Sequence, residues 1–423
     1  MADLRALKGM NDVLPEEAGR WRALEETFRS WMVRYHYREI RTPLLESTKL
    51  FVRAVGETTD IVEKEMYSFV HRSEEMTLRP EGTAGAARAF VEHKVFASAP
   101  VTKWFYVGPM FRAERPQRGR LRQFWQLGCE VYGDPGPACD AEMIDMLASF
   151  LLEWGVTDLD VLVNSVGGAE SRAAYRERLV EYFSKFKSDL SEDSQKRLER
   201  NPLRILDSKN EKDQSLVADA PFLRDSLTEA DRAHFDSVCA FLTDLGTPYR
   251  IDPRLVRGLD YYNRTTFEMK GATAELGAGS TLLGGGRYDT MLEELGAPST
   301  PAIGFGAGME RLLIASSSRD ASKPLCALFF PLGAKAAAKA MVLAKEARAH
   351  GVSVEVDARE GSLKTKLRRA DSLGATYAIV IGDDELAKGV GQLKTLKTHE
   401  QAECSFEAIL ATLKGTAAER GAS

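Results

Sequence analysis

An α+β fold is predicted: an antiparallel-strand body over residues 1–323, a helical insertion in it at about 166–246, and a C-terminal α/β domain over 325–423. Three observations predict it. "KWFYVGPMFRAE" and "RQFWQLGCEVYG" are two aromatic-rich runs joined by a basic loop, the pattern of an antiparallel hairpin. From Ser171 to about Leu245 the composition turns charged and helical, and strand-like segments then resume. After "SSSRDASKP" at 316–324, a linker by composition, strand and helix patterns alternate as in an α/β domain with partly parallel strands.

Within the body, Trp21, Leu24, Phe28 and Trp31 recur at helical spacing after "NDVLPEE", so an amphipathic helix is expected with Pro15 near its start. "EIRTPLLES" and "MYSFV" read as extended. "DAEMIDMLASFLLEWG" sets Ile144, Leu147, Leu151 and Trp154 on one helical face and stops at Gly155. "VTDLDVLVNSVGG" returns to strand. "PYRIDPRLVRGLDYYNRTTFEM", "STLLGGGRYD" and "AIGFGAGMERLLIA" complete the body, the last as a glycine-rich strand running into a helix. In the second part come "LCALFFPLG", a helix over 334–350, "VSVEVDA", a helix over 362–373 and "YAIVIGD".

Composition narrows the function. The chain has 423 residues, 44% hydrophobic and 28% charged, which suits two or three soluble domains with ample cores. No apolar run is long enough to cross a bilayer, and "MADLRALKGMND" lacks a signal-peptide core, so a cytoplasmic protein without membrane contact is expected. Five cysteines (129, 139, 239, 326, 404) without C-x-x-C spacing argue against a disulfide framework and a thiolate zinc site. The six histidines lack paired ligand spacing, so no metal held by the protein's own side chains is expected. A net charge of −5 opposes indiscriminate nucleic-acid coating, but it is unevenly spread: +2 over 325–423, −7 over 1–324, and +5 within 103–122. Such a basic island either meets phosphates or is a solvated loop.

Four stretches could carry chemistry. "FRAERPQRGRLRQFWQ" at 111–126 holds five arginines, whose forks match phosphate oxygens, or which merely keep a hairpin loop soluble. "TLRPEGTAG" sets Glu81 in a loop where its carboxylate could meet an ammonium group, although Pro-Glu-Gly turns are common on surfaces. The glycines of "LLGGGRYD" allow close backbone approach to a ligand, or build a turn. "GFGAGMERLL" is spaced G-x-G-x-G, neither a dinucleotide fingerprint nor a P-loop; its glycines let strand and helix pack against a planar ligand, or simply form a corner.

The order of these stretches is more telling than any one of them. An arginine-bearing strand–loop–strand, then a glycine-rich strand leading into a helix with Arg311, resembles motifs two and three of class II aminoacyl-tRNA synthetases. "REIRTPLLES" resembles their proline-bearing first motif. "TLRPEGTAG", "ERPQRGR" and "LVRGLDYYNRTTFE" are similar to signatures of the histidyl-tRNA synthetase family, and the similarity runs from "KGMNDVLPEE" through the C-terminal domain. One departure is Trp125 in "FWQ", where a histidine or tyrosine is more usual.

The resemblance implies a class II antiparallel sheet flanked by helices, a C-terminal anticodon-binding domain and a homodimer built on the first motif. It also implies a two-step reaction: L-histidine and ATP give histidyl-adenylate and pyrophosphate, and histidine then passes to the 3′ end of its tRNA. Arg112 and Arg257 would be catalytic, holding the α-phosphate from two sides and touching the histidine carboxylate. Glu81, Thr83 and Gln126 would grip the amino group. Glu130 and Tyr262 would hold the imidazole, with Tyr261 packing nearby and Tyr288 at the pocket edge. Arg311 and Arg120 would contact the triphosphate, Mg2+ would bridge its β- and γ-phosphates, and Arg115 and Gln117 would meet the tRNA acceptor end. Two rivals differ in class. A synthetase-like regulatory subunit of ATP phosphoribosyltransferase would only bind histidine; the complete "LVRGLDYYNRTTFE", the arginine loop and the domain after 324 oppose it. A generic nucleotide-binding module is opposed by the paired amino-acid-site residues.

Overall fold

Pro15 opens helix α1 (Pro15–Arg34) in the computed structural model, with Glu16 and Glu17 in its first turn, where the macrodipole favours acids. The structure describes residues 4–56, 59–206, 208, 210–256, 259, 261–273, 276–316 and 325–421. Leu24, Phe28 and Met32 form the buried stripe of α1, while Trp21 and Trp31 lie half-buried at its margins. Strands β1 (Arg38–Glu39) and β2 (Leu45–Ser47), helix α2 (Thr48–Val55), strands β3 (Tyr67–His71) and β4 (Glu74–Leu78), and helix α3 (Thr83–Glu92) follow. The expected hairpin forms from β5 (Thr102–Phe111) and β6 (Gln123–Tyr132), with Thr102 facing Tyr132 and Phe111 facing Gln123.

Helix α4 (Pro137–Trp154) buries Ile144, Leu147, Leu151 and Trp154 and ends at Gly155, whose φ of 98° disfavours any side chain. Strand β7 (Leu159–Ser165) leads into helices α5 (Ala169–Ser184), α6 (Glu192–Arg200), α7 (Glu211–Ala218) and α8 (Glu229–Leu245). Strands β8 (Arg250–Ile251), β9 (Asn263–Thr273) and β10 (Gly277–Arg287), helix α9 (Met291–Glu294), strand β11 (Ala302–Gly308) and helix α10 (Met309–Ala315) come next. Together they build an eight-stranded sheet of order β1-β5-β6-β11-β10-β9-β7-β8, with a separate β2-β4-β3 sheet. From β5 to β7 every neighbour is antiparallel; β1 and β8 add on as short parallel edges. The antiparallel sheet flanked by helices is therefore present.

Two local readings change. "LVRGLDYYNRTTFE" reads half like a strand, but β9 begins only at Asn263. Just after the tyrosines, Arg264 takes a φ of 49°, with its N–H donating to the Gly167 carbonyl and its carbonyl accepting from the Val166 N–H, a left-handed kink at the very start of the strand. Gly284, Gly285 and Gly286 lie inside β10 and build no turn.

The chain divides into two compact units, Met1–Asp320 and Ala321–Ser423. The second contains β12 (Ala327–Pro331), α11 (Ala334–Ala349), β13 (Val354–Val356), α12 (Leu363–Ser372), β14 (Tyr377–Ile381), α13 (Asp383–Lys388), β15 (Val390–Thr395), β16 (Gln401–Ser405) and α14 (Phe406–Gly421). Its sheet runs β13-β12-β14-β15-β16, parallel around β12 and antiparallel beyond β14. Phe329 packs with Leu343 and Ile409 on one face, and Leu328 and Phe330 with Ala370 on the other. Burial on both faces is why "LCALFFPLG" is apolar without alternation. Among the described residues no helix is long and apolar enough to cross a membrane.

Candidate active site

Strand register sets the floor of the site. Gln126, Gly128 and Glu130 share one face of β6, and opposite them on β11 stand Gly308, Gly306 and Gly304. On β10, Gly284 and Gly286 continue the same face opposite Gly306 and Gly304. A Cβ on Gly304 would fall 1.6 Å from Glu130 Oε2, and one on Gly306 would fall 2.2 Å from Gln126 Nε2. The G-x-G-x-G run thus leaves room for polar side chains of the neighbouring strand. This is a more specific role than the strand–helix packing its spacing suggests.

Glu130 is fully buried. Its Oε1 accepts from Thr83 Oγ1 at 2.8 Å and from the Tyr106 hydroxyl at 3.1 Å, and its Oε2 accepts from the Tyr288 hydroxyl. Burial raises its pKa to about 8; the Tyr288, Thr83 and Tyr106 hydroxyls oppose that rise and the Glu81 charge adds to it. The Tyr261 ring lies 4.5 Å from that of Tyr262, tilted by 51°, and edge-on to Tyr288 at 5.5 Å, so the three rings form one wall. Arg172 of α5 donates to the Tyr262 carbonyl at 3.0 Å, and Asp231 of α8 binds Arg264, so the helices between β7 and β8 brace the tyrosine segment.

The loop "RPEG" is held from two sides. Arg79 is buried and donates to the carbonyls of Thr42 and Pro109, each at 3.0 Å, while the Phe111 N–H donates to its own carbonyl. Glu81 accepts the backbone N–H groups of Thr83 at 2.6 Å and Ala84 at 2.8 Å, capping α3. Burial raises the Glu81 pKa, and these two backbone bonds oppose it. Gln126 Oε1 accepts the Gly82 N–H at 3.1 Å, which leaves the Gln126 amide group as donor over Gly306. Arg112 donates to the Pro80 carbonyl at 2.9 Å and lies over the Phe124 ring.

A cavity of about 370 Å³ is lined by Glu81, Thr83, Arg112, Arg120, Gln126, Tyr261, Tyr262 and Arg311. Glu130 and Tyr288 sit behind this lining and reach it through Thr83. Arg120 lies 3.6 Å from Glu114. Arg311 donates to the Thr281 carbonyl, while its buried Nε has no hydrogen-bond partner among the described residues. Burial, then the charge of Arg120, lowers its pKa from the usual guanidinium value. A clustered pair of cations with an unused buried donor is a place for a polyanion. Arg257 lies outside the described residues.

The loop tip faces elsewhere. Gln117 and Arg120 exchange backbone hydrogen bonds across a tight turn at Gly119, and Arg115 and Gln117 are exposed. Gln117 lines a second cavity, of about 800 Å³, with Trp21 and Trp125. The Trp125 backbone N–H donates to the Glu310 carboxylate at 2.9 Å, and its ring meets Trp21 edge-on, on the sheet face opposite Gln126 and Glu130. The departure at Trp125 therefore does not touch the pocket. Tyr106, Phe124 and the Arg79 clamp were not anticipated. Alternation along β5 against β6 was the available signal, since it sets Tyr106 opposite Gly128.

Comparison with known proteins identifies the family. The family model described as "Histidyl-tRNA synthetase" matches residues 9–312, and that described as "Anticodon binding domain" matches 327–416. A histidine–tRNA ligase from Sorangium cellulosum is 56% identical over 418 residues, covering 99% of this chain and 97% of the relative. One from Cyanothece sp. is 47% identical over 413 residues, covering 97% and 96%. The crystal structure of apo S. aureus histidyl-tRNA synthetase superposes with a TM-score of 0.83 at 36% identity, covering 97% of this chain and 100% of that one. Matched in sequence and in fold over nearly its whole length, the chain belongs to the histidyl-tRNA synthetase family.

Proposed function

We propose that the protein activates L-histidine with ATP and transfers it to the 3′ end of its cognate tRNA, as a cytoplasmic homodimer. Residues 1–323 form the catalytic domain, with the insertion at about 166–246, and 325–423 the anticodon-binding domain. The observation that carries the reading is Glu130: a buried acceptor, ringed by hydroxyl donors, at the base of a cavity whose other end is cationic. Imidazole offers one donor and one acceptor nitrogen, and Glu130 with Tyr262 answers both. Glu81 and Gln126 orient the amino end. Arg112 and Arg257 stabilise charge that develops as the carboxylate attacks the α-phosphorus. Arg311 and Arg120 hold the triphosphate, and Mg2+, brought in on its phosphates, would supply further screening of the anions. Arg115 and Gln117 meet the acceptor end of the tRNA.

The test is exchange of labelled pyrophosphate into ATP across a panel of amino acids. Histidine alone should support it. Exchange with another amino acid overturns the reading, and histidine binding without exchange would place the protein with the regulatory subunits instead.

A further inference from the structure

Tyr106 is an unassigned neighbour of the histidine pocket, and its seat is built with unusual economy of space. It lies on β5 directly opposite Gly128 and is almost fully buried. A Cβ on Gly128 would fall 2.3 Å from its Cζ, and one on Gly82 would fall 2.2 Å from its Cε2. Two glycines on different elements therefore admit this one ring. Between them its hydroxyl donates to Glu130 Oε1 at 3.1 Å, on the oxygen that Thr83 already reaches at 2.8 Å.

A carboxylate oxygen has two lone pairs, so the group in its ionised form, the one that accepts an imidazole N–H, offers about four acceptor sites. Thr83 and Tyr106 fill both sites of Oε1, and Tyr288 fills one of Oε2. We propose that Tyr106 is a positioning residue for histidine selection, leaving Glu130 a single acceptor site, on Oε2, for one imidazole N–H. The inference rests on the reading of Glu130 given above. The hydroxyl keeps its proton, since burial and the Glu130 charge hold the Tyr106 pKa well above its usual value. Without it, Thr83 and Tyr288 would still hold Glu130, but each oxygen would carry one open site, so one donor direction would no longer be favoured.

The decisive variant is Tyr106→Phe in the full-length protein, which keeps the ring between the glycines and removes only the donor. Pyrophosphate exchange is measured against histidine and against ATP, with histidine titration by calorimetry where exchange is slow. The KM for histidine should rise about 10- to 100-fold, the range for losing a hydrogen bond to a charged group, while the KM for ATP stays within about twofold. The acid limb of kcat/KM for histidine should also move to higher pH, because a carboxylate that loses a donor is harder to ionise. Other titratable groups facing Glu130 (Glu81, Cys129, Tyr132, Tyr261 and Tyr288) are unchanged in the variant, and the substrate's own titration is common to both proteins. An unchanged histidine KM with an unchanged acid limb overturns the proposal. So does an equal rise in both KM values, which would mark Tyr106 as mere packing. Absence of histidine-dependent exchange in the unsubstituted protein sinks the underlying reading instead.

Discussion

Glu130 and Gly304 face each other on adjacent antiparallel strands, and the carboxylate occupies the space that a side chain at 304 would need, 1.6 Å from Oε2. The relationship is asymmetric: the glycine is there for the acid. Gly304→Ala should therefore move Glu130 rather than the strand. Overpacking of this kind costs about 1–3 kcal/mol, and a shift of about 1 Å in a binding group can cost about 100-fold in rate. Histidine-dependent exchange should fall by about that factor with a modest loss in thermal midpoint. Full activity in the alanine variant would show that Glu130 is not where selection occurs.

Stability should decline as pH rises. Burial raises Glu130 from 4.5 to about 8 and Glu310 from 4.5 to about 7. Between the ordinary value and the raised one, the folded chain binds more protons than the unfolded chain, so stability is greatest below about pH 4.5 for these groups and is lost through pH 8. Glu130→Gln should flatten this slope in urea midpoints measured at pH 5, 7 and 8.5. An identical slope in the variant would refute the assignment of a raised pKa.

Arg311 has a buried Nε with no hydrogen-bond partner among the described residues, beside a second cation, Arg120. Arg311→Lys keeps the charge and loses the planar fork, so kcat/KM for ATP should drop about 10- to 100-fold with histidine affinity retained. Equal losses for both substrates would move Arg311 out of the triphosphate site.

Arg257 is assigned from its place in "LVRGLDYYNRTTFE". Arg257→Ala should slow adenylate formation by about 10²–10³, as removal of one preorganised donor does, and weaken histidine binding far less. Normal exchange in this variant is the outcome that removes it from the mechanism.

The second unit has a core of its own, in which Phe329, Leu343 and Ile409 pack together. A fragment ending at Asp320 should still exchange pyrophosphate, while kcat/KM for tRNA falls sharply and the salt dependence of tRNA binding becomes shallower. Equal aminoacylation by fragment and full chain, with matched salt slopes, would defeat the anticodon-binding assignment.

Much of this was readable before any coordinates. The β5–β6 hairpin, the α4 stripe through Trp154 and the alternation after residue 324 are local patterns, each carried within one window of sequence. The helix α14 was not, because its small residues carry little periodicity; Ile409, Leu410 and Leu413, buried in the second core, anchor it. Likewise Glu81 read as a loop acid, whereas it caps α3 through two backbone bonds, a role invisible until the helix behind it exists.

By itself the sequence determined the order of the motifs, the chemistry they hold and the family, since these depend on residue type and near spacing. Only the tertiary structure decided which face of the sheet is the floor, why Gly304 and Gly306 must lack side chains, and that Tyr106 shares Glu130 with Thr83. The reason is physical. Strand periodicity is set between near neighbours, but register between β6 and β11 is set by what their side chains must share across a gap too narrow for two.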